Sequence, residues 1–181
     1  MRLISGEIME KWDILSPQGR VTGKTVVRGH ALLKPGEYHL VVHIWIVSST
    51  GKFLIQQRSL GKKLMPGEWA ATGGAAVSGE DSFTAAQREL YEELGIKSDE
   101  TTLKFKKRFR RRNSFVDVWF ITTDITCDRL RLQKSEVAAA RWVSEAELEK
   151  MIRDGNFHNY GKEYFATIFD VAKELCYELK G

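Results

Sequence analysis

Three glutamates on one predicted helix are residues whose spacing could do chemistry. Within RELYEELG, residues 88–95, a helix would stack the carboxylates of Glu89, Glu92 and Glu93 along one side. Carboxylates at these spacings repel one another and destabilise a helix by roughly 0.2–0.5 kcal/mol per pair. The spacing alone leaves two interpretations open. Either the charges are screened by solvent with Arg88 as an ion-pair partner, or they bind a hard divalent cation such as Mg²⁺ or Mn²⁺.

A glycine-rich segment precedes this helix and could bring the backbone close to a ligand. In TGGAAVSGE, residues 72–80, three glycines permit tight turns that residues with a Cβ resist. The string GAAVSGEDSFTAAQRELYEELGI, residues 74–96, fits the pattern G-x5-E-x7-R-E-U-x-E-E-x-G-U at every fixed position, where U is aliphatic. In this pattern the chain resembles the Nudix hydrolases. The matching residues are Gly74, Glu80, Arg88, Glu89, Leu90, Glu92, Glu93, Gly95 and Ile96.

The resemblance implies hydrolysis of a diphosphate. In the family, water attacks phosphorus and splits a nucleoside diphosphate linked to another moiety, so the expected partner is a small nucleotide or diphosphate substrate. Glu89, Glu92 and Glu93 match the family's metal-binding carboxylates, and the carbonyl oxygen of Gly74 matches a further ligand to Mg²⁺ or Mn²⁺. Glu89 is also a candidate to deprotonate the attacking water. A metal ion suits this reaction because it neutralises the diphosphate charge, orients the substrate and acidifies a bound water.

Two further roles follow from the same resemblance. Arg88 and Glu80 match an ion pair that holds the glycine-rich loop against the helix. Many Nudix enzymes also use an acid beyond the motif as a base or an extra metal ligand. Glu136, just before the predicted strand 138–144, is the candidate for this catalytic role, although the motif does not fix its position.

Three residues outside the motif are weaker candidates for substrate binding. His39 shares one face of a predicted strand with His43, and histidines on strands are more often packing residues than ligands. Asp117 lies within an apolar strand, where a buried carboxylate needs a partner such as Arg108, Arg110 or a substrate group. Arg110 is itself a candidate to contact substrate phosphate.

The positive charge of the chain is concentrated in KFKKRFRRR, residues 104–112. The net charge is +4 and this run supplies seven positive charges, so the remainder is near −3. A local basic patch can bind phosphates, and contact with a nucleic-acid backbone is one interpretation of it. A solvated strand or loop is the other interpretation.

Two other functions remain as alternatives to hydrolysis. Residues 38–69 resemble the Nudix branch that includes isopentenyl diphosphate isomerase, and His39 matches one of that enzyme's metal histidines. The isomerase uses a cysteine and a histidine just after the position of Trp69, whereas residues 70–77 read AATGGAAV here. The second alternative is a Nudix-fold protein that binds a nucleotide or RNA without hydrolysing it. The complete carboxylate set argues against a purely binding role.

The elements that position these residues are those of an α/β (α+β) protein. The turn SPQG predicts an N-terminal β-hairpin over about residues 10–30. Strands interleaved with helices predict a mixed β-sheet sandwiched between helices, which the resemblance identifies as the Nudix fold. The predicted strands are 38–47, 52–59, 114–125 and 138–144, and the predicted helices are 81–95, 145–154 and a long C-terminal helix over 162–180.

Length and composition predict a single domain over residues 1–181, since no repeat, linker or low-complexity tract interrupts the chain. The longest apolar stretch, residues 40–47, is too short to cross a membrane, and no secretory signal is visible. Cys127 and Cys176 form no CxxC pair, which favours a reduced, cytoplasmic setting with both thiols packed as small hydrophobes. The resemblance also admits a homodimer.

Overall fold

The fold is a mixed β-sheet with helices on both faces, and a separate N-terminal hairpin. The structure is a computed structural model that describes residues 10–29 and 33–178. Its strands are β1 (Lys11–Leu15), β2 (Val21–Val27), β3 (His39–Val47), β4 (Phe53–Arg58), β5 (Trp69–Ala70), β6 (Thr72–Ala75), β7 (Leu103–Arg110), β8 (Ser114–Thr122) and β9 (Val137–Val143). Its α-helices are α1 (Ser82–Leu94), α2 (Glu145–Arg153) and α3 (Lys162–Glu178).

The central strand β3 has a different arrangement on each side. On one side it runs parallel to β8 along its whole length, and β7 continues the sheet antiparallel to β8. On the other side two strands share it: β4 pairs with Ile46 and Val47, and β6 pairs with residues 41–44. β4 also pairs with β5 and β9. The sheet therefore forks beside β3, with β6 along residues 41–44 and β4 along residues 46 and 47.

Side chains alternate across β3, so two apolar layers form. Val42, Ile44 and Ile46 face α1 and pack against its buried Leu90 and Leu94. Each such leucine contributes on the order of 1.5–3 kcal/mol when it is fully buried. The opposite face carries Trp45 and Val47, which pack with residues of α2 and α3. The predicted helices on both sheet faces are confirmed.

Helix α1 has well-defined ends, and these fix the positions of its glutamates. Asp81 precedes the helix and its side chain accepts a hydrogen bond from the Thr84 amide at 2.8 Å. Gly95 ends it in the left-handed region at φ 72°, and its amide donates to the Tyr91 carbonyl. At the start of α2, Ser144 and Glu147 form a capping box.

The predicted N-terminal hairpin is confirmed as β1 paired antiparallel with β2. Backbone hydrogen bonds between Leu15 and Tyr38 tie it to the start of β3. Asp13 accepts hydrogen bonds from the Ser78 hydroxyl and the Gly79 amide, so the hairpin also holds the loop before α1. The hairpin is thereby fixed beside the glycine-rich segment.

Most of the basic run belongs to the edge strand β7, in agreement with its interpretation as a strand or loop. The expectation for the cysteines needs correction. Cys127 is exposed, so the expectation that both thiols pack inside is wrong for it, while Cys176 is half-buried. The predicted end of the last helix, residues 179–180, lies outside the described residues. Among those described, no helix is long and apolar enough to span a bilayer.

Candidate active site

A cleft of about 560 Å³ opens over the fork in the sheet. Its lining has three distinct parts. The acidic wall is Glu89, Glu92 and Glu93 of α1; the hairpin wall is Glu10, Trp12 and Arg28; and the floor is Val41, His43, Ser114, Val116 and Tyr160.

Glu93 is the most deeply placed carboxylate of the acidic wall. It is 3 % exposed, and its Oε2 accepts hydrogen bonds from Gln56 Nε2 at 2.9 Å and from the Gly73 amide at 3.0 Å. These bonds come from β4 and β6, so Glu93 bridges the fork. Burial, and then the charge of Glu89, raise the pKa of Glu93 to about 8. Its charged form is unfavourable unless a cation joins it.

Glu89 and Glu92 share one guanidinium group. Arg88 Nη1 donates to Glu89 Oε1 at 2.9 Å and to Glu92 Oε2 at 3.2 Å. Burial raises the pKa of Glu89, and the adjacent Arg88 charge only partly offsets this. Glu92 is half-exposed at the cleft mouth. The single positive charge of Arg88 is therefore divided between these two carboxylates and that of Glu80, and the acidic wall carries excess negative charge.

The predicted ion pair between Arg88 and Glu80 is present and bidentate. Arg88 Nε and Nη2 donate to the two carboxylate oxygens of Glu80 at 2.7 and 2.9 Å, and Nη2 also donates to the Ala75 carbonyl. Burial alone would raise the pKa of Glu80, but these bonds and one from the Val77 amide lower it overall. The pair ties the glycine-rich loop to α1.

Gly73 and Gly74 allow the strand β6 to lie close to its neighbours. A Cβ on Gly73, which has φ +149°, would stand 2.0 Å from the Val42 carbonyl oxygen. A Cβ on Gly74 would stand 2.4 Å from Glu89 Oε1. The backbone at Gly74 thus directly adjoins the acidic wall, as the predicted role of its carbonyl oxygen requires.

The donor set fits a hard divalent cation. Three carboxylates line one cleft beside a glycine backbone, and one of them, Glu93, is buried with no cationic partner among the residues that the structure describes. Carboxylate oxygens are the ligands that Mg²⁺ prefers. Within residues 10–29 and 33–178, no group of three acidic, histidine or cysteine side chains could hold a metal ion as it stands. A cation would therefore require Glu89 and Glu92 to turn from Arg88 towards Glu93.

Glu136 also lines the cleft. Its carboxylate forms an ion pair with Lys62, and its charge contributes to the raised pKa of Glu93. The structure thus brings the predicted extra acid into the same cleft as the acidic wall. Lys62 comes from the loop between β4 and β5, which therefore controls the orientation of Glu136.

His39 lines the cleft beneath the hairpin wall. The rings of His39 and Trp12 stack with centroids 4.2 Å apart, and the Arg28 guanidinium lies 5.9 Å from the centroid of the Trp12 ring. Burial, and then the charge of Arg28, lower the pKa of His39 to about 4, so the imidazole is neutral at pH 7. Nothing in the sequence pattern had indicated that the hairpin contributes to the cleft.

The structure does not bring Asp117 and Arg110 into the cleft. Asp117 is 1 % exposed and accepts two hydrogen bonds from Arg108, at 2.6 and 2.7 Å. Arg110 donates to the Tyr38 hydroxyl and lies over its ring. Arg111 lines the cleft and donates to the Tyr160 carbonyl at 2.6 Å. Several arginines of the basic run therefore bind within the protein itself.

We expect the Arg108→Leu variant to lose about 2–4 kcal/mol of unfolding free energy, because Asp117 would remain buried without a partner. The double variant Arg108→Leu/Asp117→Val should recover most of this loss, because no buried charge is left. Urea denaturation of both variants measures the difference. Equal stability of the single variant and the original protein would show that the pair has no structural role.

The chain is similar to several known proteins over most of its length. A profile of the NUDIX domain matches residues 37–163. A Nudix hydrolase of Listeria monocytogenes is 44% identical over 153 residues, which cover 84% of this chain and 90% of that protein. An isopentenyl-diphosphate Delta-isomerase of Streptomyces coelicolor is 30% identical over 173 residues, covering 92% and 86%. The crystal structure of DR0079 from Deinococcus radiodurans has a TM-score of 0.73 at 24% identity, covering 93% and 99%.

Proposed function

Since the chain belongs to the NUDIX domain family and is a hydrolase of that family, we propose that its cleft hydrolyses a phosphoanhydride bond with the help of Mg²⁺ or Mn²⁺. The proposed substrate is a nucleoside diphosphate linked to another moiety. The observation that carries the proposal is the acidic wall. There Glu93 is buried beside Glu89, and the guanidinium of Arg88 is shared between Glu89 and Glu92. A cation and a diphosphate together would neutralise this charge.

The residues that would hold the cation are Glu89, Glu92 and Glu93, with the Gly74 carbonyl oxygen. When bound, the cation would neutralise phosphate charge and acidify an attached water. Arg88 and Glu80 keep the loop and helix together, so the carboxylates stay aligned when Arg88 gives up Glu89 and Glu92.

A base must take the proton of the attacking water, and two glutamates could do this. Glu89 lies on the acidic wall itself. Glu136 lines the same cleft, and its carboxylate forms an ion pair with Lys62. We propose Glu136 as the base or as a further metal ligand, because Glu89 is then free to bind the cation. Replacement of each by glutamine would separate the two roles.

The test of the proposed reaction is a substrate panel. Incubation with Mg²⁺ and nucleoside triphosphates, nucleotide sugars, dinucleoside polyphosphates and ADP-ribose should release cleavage products from at least one class. Glu92→Gln should lower that activity by about a hundredfold or more, because a charged ligand is lost. Glu149→Gln, an exposed glutamate on α2, is the matched control and should retain full activity. Activity that survives Glu92→Gln would mean that the site is wrongly assigned.

The second candidate function is allylic isomerisation, which the similarity to the Streptomyces isomerase favours. The segment around β6 argues against it, because residues 70–77 contain neither the cysteine nor the histidine that the isomerase uses there. We expect no conversion of isopentenyl to dimethylallyl diphosphate. Measurable conversion by the purified protein would replace hydrolysis with isomerisation as the proposal.

We also propose that residues 1–181 act as one domain with the hairpin as part of the cleft. Supporting this, the hairpin is hydrogen-bonded to β3 and to the loop before α1. Binding of nucleic acid is the less favoured proposal, because Arg108, Arg110 and Arg111 already have partners within the protein.

A further inference from the structure

The floor of the cleft has a different chemistry from the acidic wall. His43 and Val41 rise from β3, and Val116 rises from β8, so these residues lie on the sheet face opposite α1. Tyr160 packs against the His43 ring with centroids 4.6 Å apart. This floor combines apolar and aromatic surface with few polar atoms, as the non-phosphate part of a ligand requires.

The floor and the acidic wall adjoin across a stretch of bare backbone. His43 is paired with Gly73, and Val42 is paired with Gly74. The Gly73 amide donates to Glu93. No side chain of β6 separates the two regions at these glycines, so one extended ligand can contact both.

A buried hydrogen-bond chain lies beneath His43. The Tyr164 hydroxyl is 2.9 Å from Trp45 Nε1 and 2.8 Å from His43 Nδ1. Trp45 Nε1 is only a donor, so the Tyr164 oxygen accepts from it. Tyr164 is 1 % exposed and has no other acceptor among the described residues, so its own proton must go to His43 Nδ1 to avoid an unsatisfied buried donor.

This arrangement fixes the proton of His43 on the other nitrogen. Burial, and then the charges of Arg111 and His158, lower the pKa of His43 to about 3, so the ring is neutral at pH 7. A neutral imidazole that accepts at Nδ1 carries its hydrogen at Nε2. In the described part of the chain, no residue forms a hydrogen bond with Nε2, and this atom is not one of the unpaired side-chain atoms that are fully shielded from solvent. It is a free donor in a ring that lines the cleft.

We propose that the floor binds the non-phosphate part of the substrate, and that His43 donates a hydrogen bond from Nε2 to an acceptor atom on it. The ligand class is a diphosphate attached to a group with acceptors beside a planar or apolar surface, such as the ribose and base of a nucleotide. Tyr164 is a positioning residue, because it acts only through His43. The inference rests on the proposed function, since it assumes that the diphosphate lies at the acidic wall.

Two probes that resist hydrolysis test the binding. Calorimetry with Mg²⁺ compares α,β-methylene-ADP with methylenediphosphonate, which lacks the nucleoside. His43→Phe should weaken binding of the nucleotide analogue about fivefold to tenfold, the value of one hydrogen bond, and leave the diphosphonate unchanged. His43→Gln, whose amide can donate from a similar position, should retain most of the affinity.

Three results would overturn the assignment: equal weakening of both probes, no weakening of either, or no preference of the original protein for the nucleotide analogue. Thermal melting of each variant checks that it is folded.

A measurement without any ligand tests the tautomer. Nitrogen-15 NMR of the histidine side chains should find the His43 proton on Nε2 and none on Nδ1 at neutral pH. In Tyr164→Phe, where Nδ1 loses its donor, the proton should distribute over both nitrogens. A proton on Nδ1 in the original protein would contradict the inference. This readout needs no substrate, and the substrate panel needs no His43 variant, so failure of one is distinguishable from failure of the other.

Discussion

The Glu93→Gln variant should lose about a thousandfold in kcat and still fold. Loss of one charged metal ligand removes several kcal/mol of charge stabilisation in the transition state. The fold should survive because both hydrogen bonds, from Gln56 and from the Gly73 amide, end on the same oxygen, Oε2. A glutamine can place its single carbonyl oxygen there. Steady-state kinetics on the substrate identified by the panel measures the loss, and Glu149→Gln is again the control.

The same variant should change how the stability of the metal-free protein depends on pH. The pKa of Glu93 is raised from 4.5 to about 8, so the folded state holds this proton more tightly than the unfolded state does. Its contribution to stability is complete below about pH 4.5 and is lost as the pH rises towards 8. In the presence of a chelator, the original protein should therefore weaken over this range more than Glu93→Gln does. If urea denaturation showed the same loss of stability with pH for both proteins, the burial of Glu93 would be contradicted.

Replacement of two neighbouring glycines by alanine should affect different properties. Gly73→Ala should lower stability, whereas Gly74→Ala should lower activity with little loss of stability. In Gly73→Ala, the new Cβ meets the rigid Val42 carbonyl oxygen at 2.0 Å, so β6 cannot keep its pairing with β3. We expect a loss of at least about 3 kcal/mol of unfolding free energy, from overpacking and backbone strain together.

In Gly74→Ala, the new Cβ instead meets the movable Glu89 carboxylate at 2.4 Å, and this glycine has no positive φ. The expected result is a fold within about 1 kcal/mol of the original. Activity should fall by about a hundredfold, because a catalytic group is misplaced by roughly 1 Å.

Gly79→Ala is the matched control for both glycine variants. Gly79 has φ +91°, and no atom of the described residues lies within 4 Å of an added Cβ, so this variant reports backbone strain alone, about 1–2 kcal/mol. Urea denaturation and kinetics on the three variants separate the effects. A stable Gly73→Ala, or a fully active Gly74→Ala, would contradict the described packing around β6.

The local features of this fold could be predicted from sequence because each has a local signal. Asp81 and Gly95 mark the ends of α1, and SPQG marks the turn of the hairpin. The glutamates of the acidic wall follow from their spacing on that helix and from the motif. The ion pair of Arg88 with Glu80 follows from the same motif.

The partners of these residues could not be predicted, because the contacts join distant parts of the chain. Gln56 of β4 meets Glu93 of α1 across 37 positions, and His43 meets Tyr164 across 121 positions. A glutamine in a strand and a tyrosine in a helix give no signal of such roles. The signal for Asp117 was better: a buried acid required a partner, and Arg108 is that partner.

The hairpin shows a different limit of sequence reasoning. Its existence was clear from its turn and strands, but its place beside the cleft depends on Asp13 accepting hydrogen bonds from Ser78 and Gly79. The basic run was predicted as a strand or loop that could meet phosphates. Arg110 instead donates a hydrogen bond to the Tyr38 hydroxyl and is not one of the residues that line the cleft.

Manganese-soaked crystals test most directly whether the acidic wall binds a divalent cation. Anomalous diffraction should reveal a manganese ion about 2 Å from carboxylate oxygens of Glu92 and Glu93, with the Glu89 carboxylate turned from Arg88 towards it. The contradicting result is the absence of an anomalous peak in the cleft at high manganese concentration, with Glu89 and Glu92 still bound to Arg88.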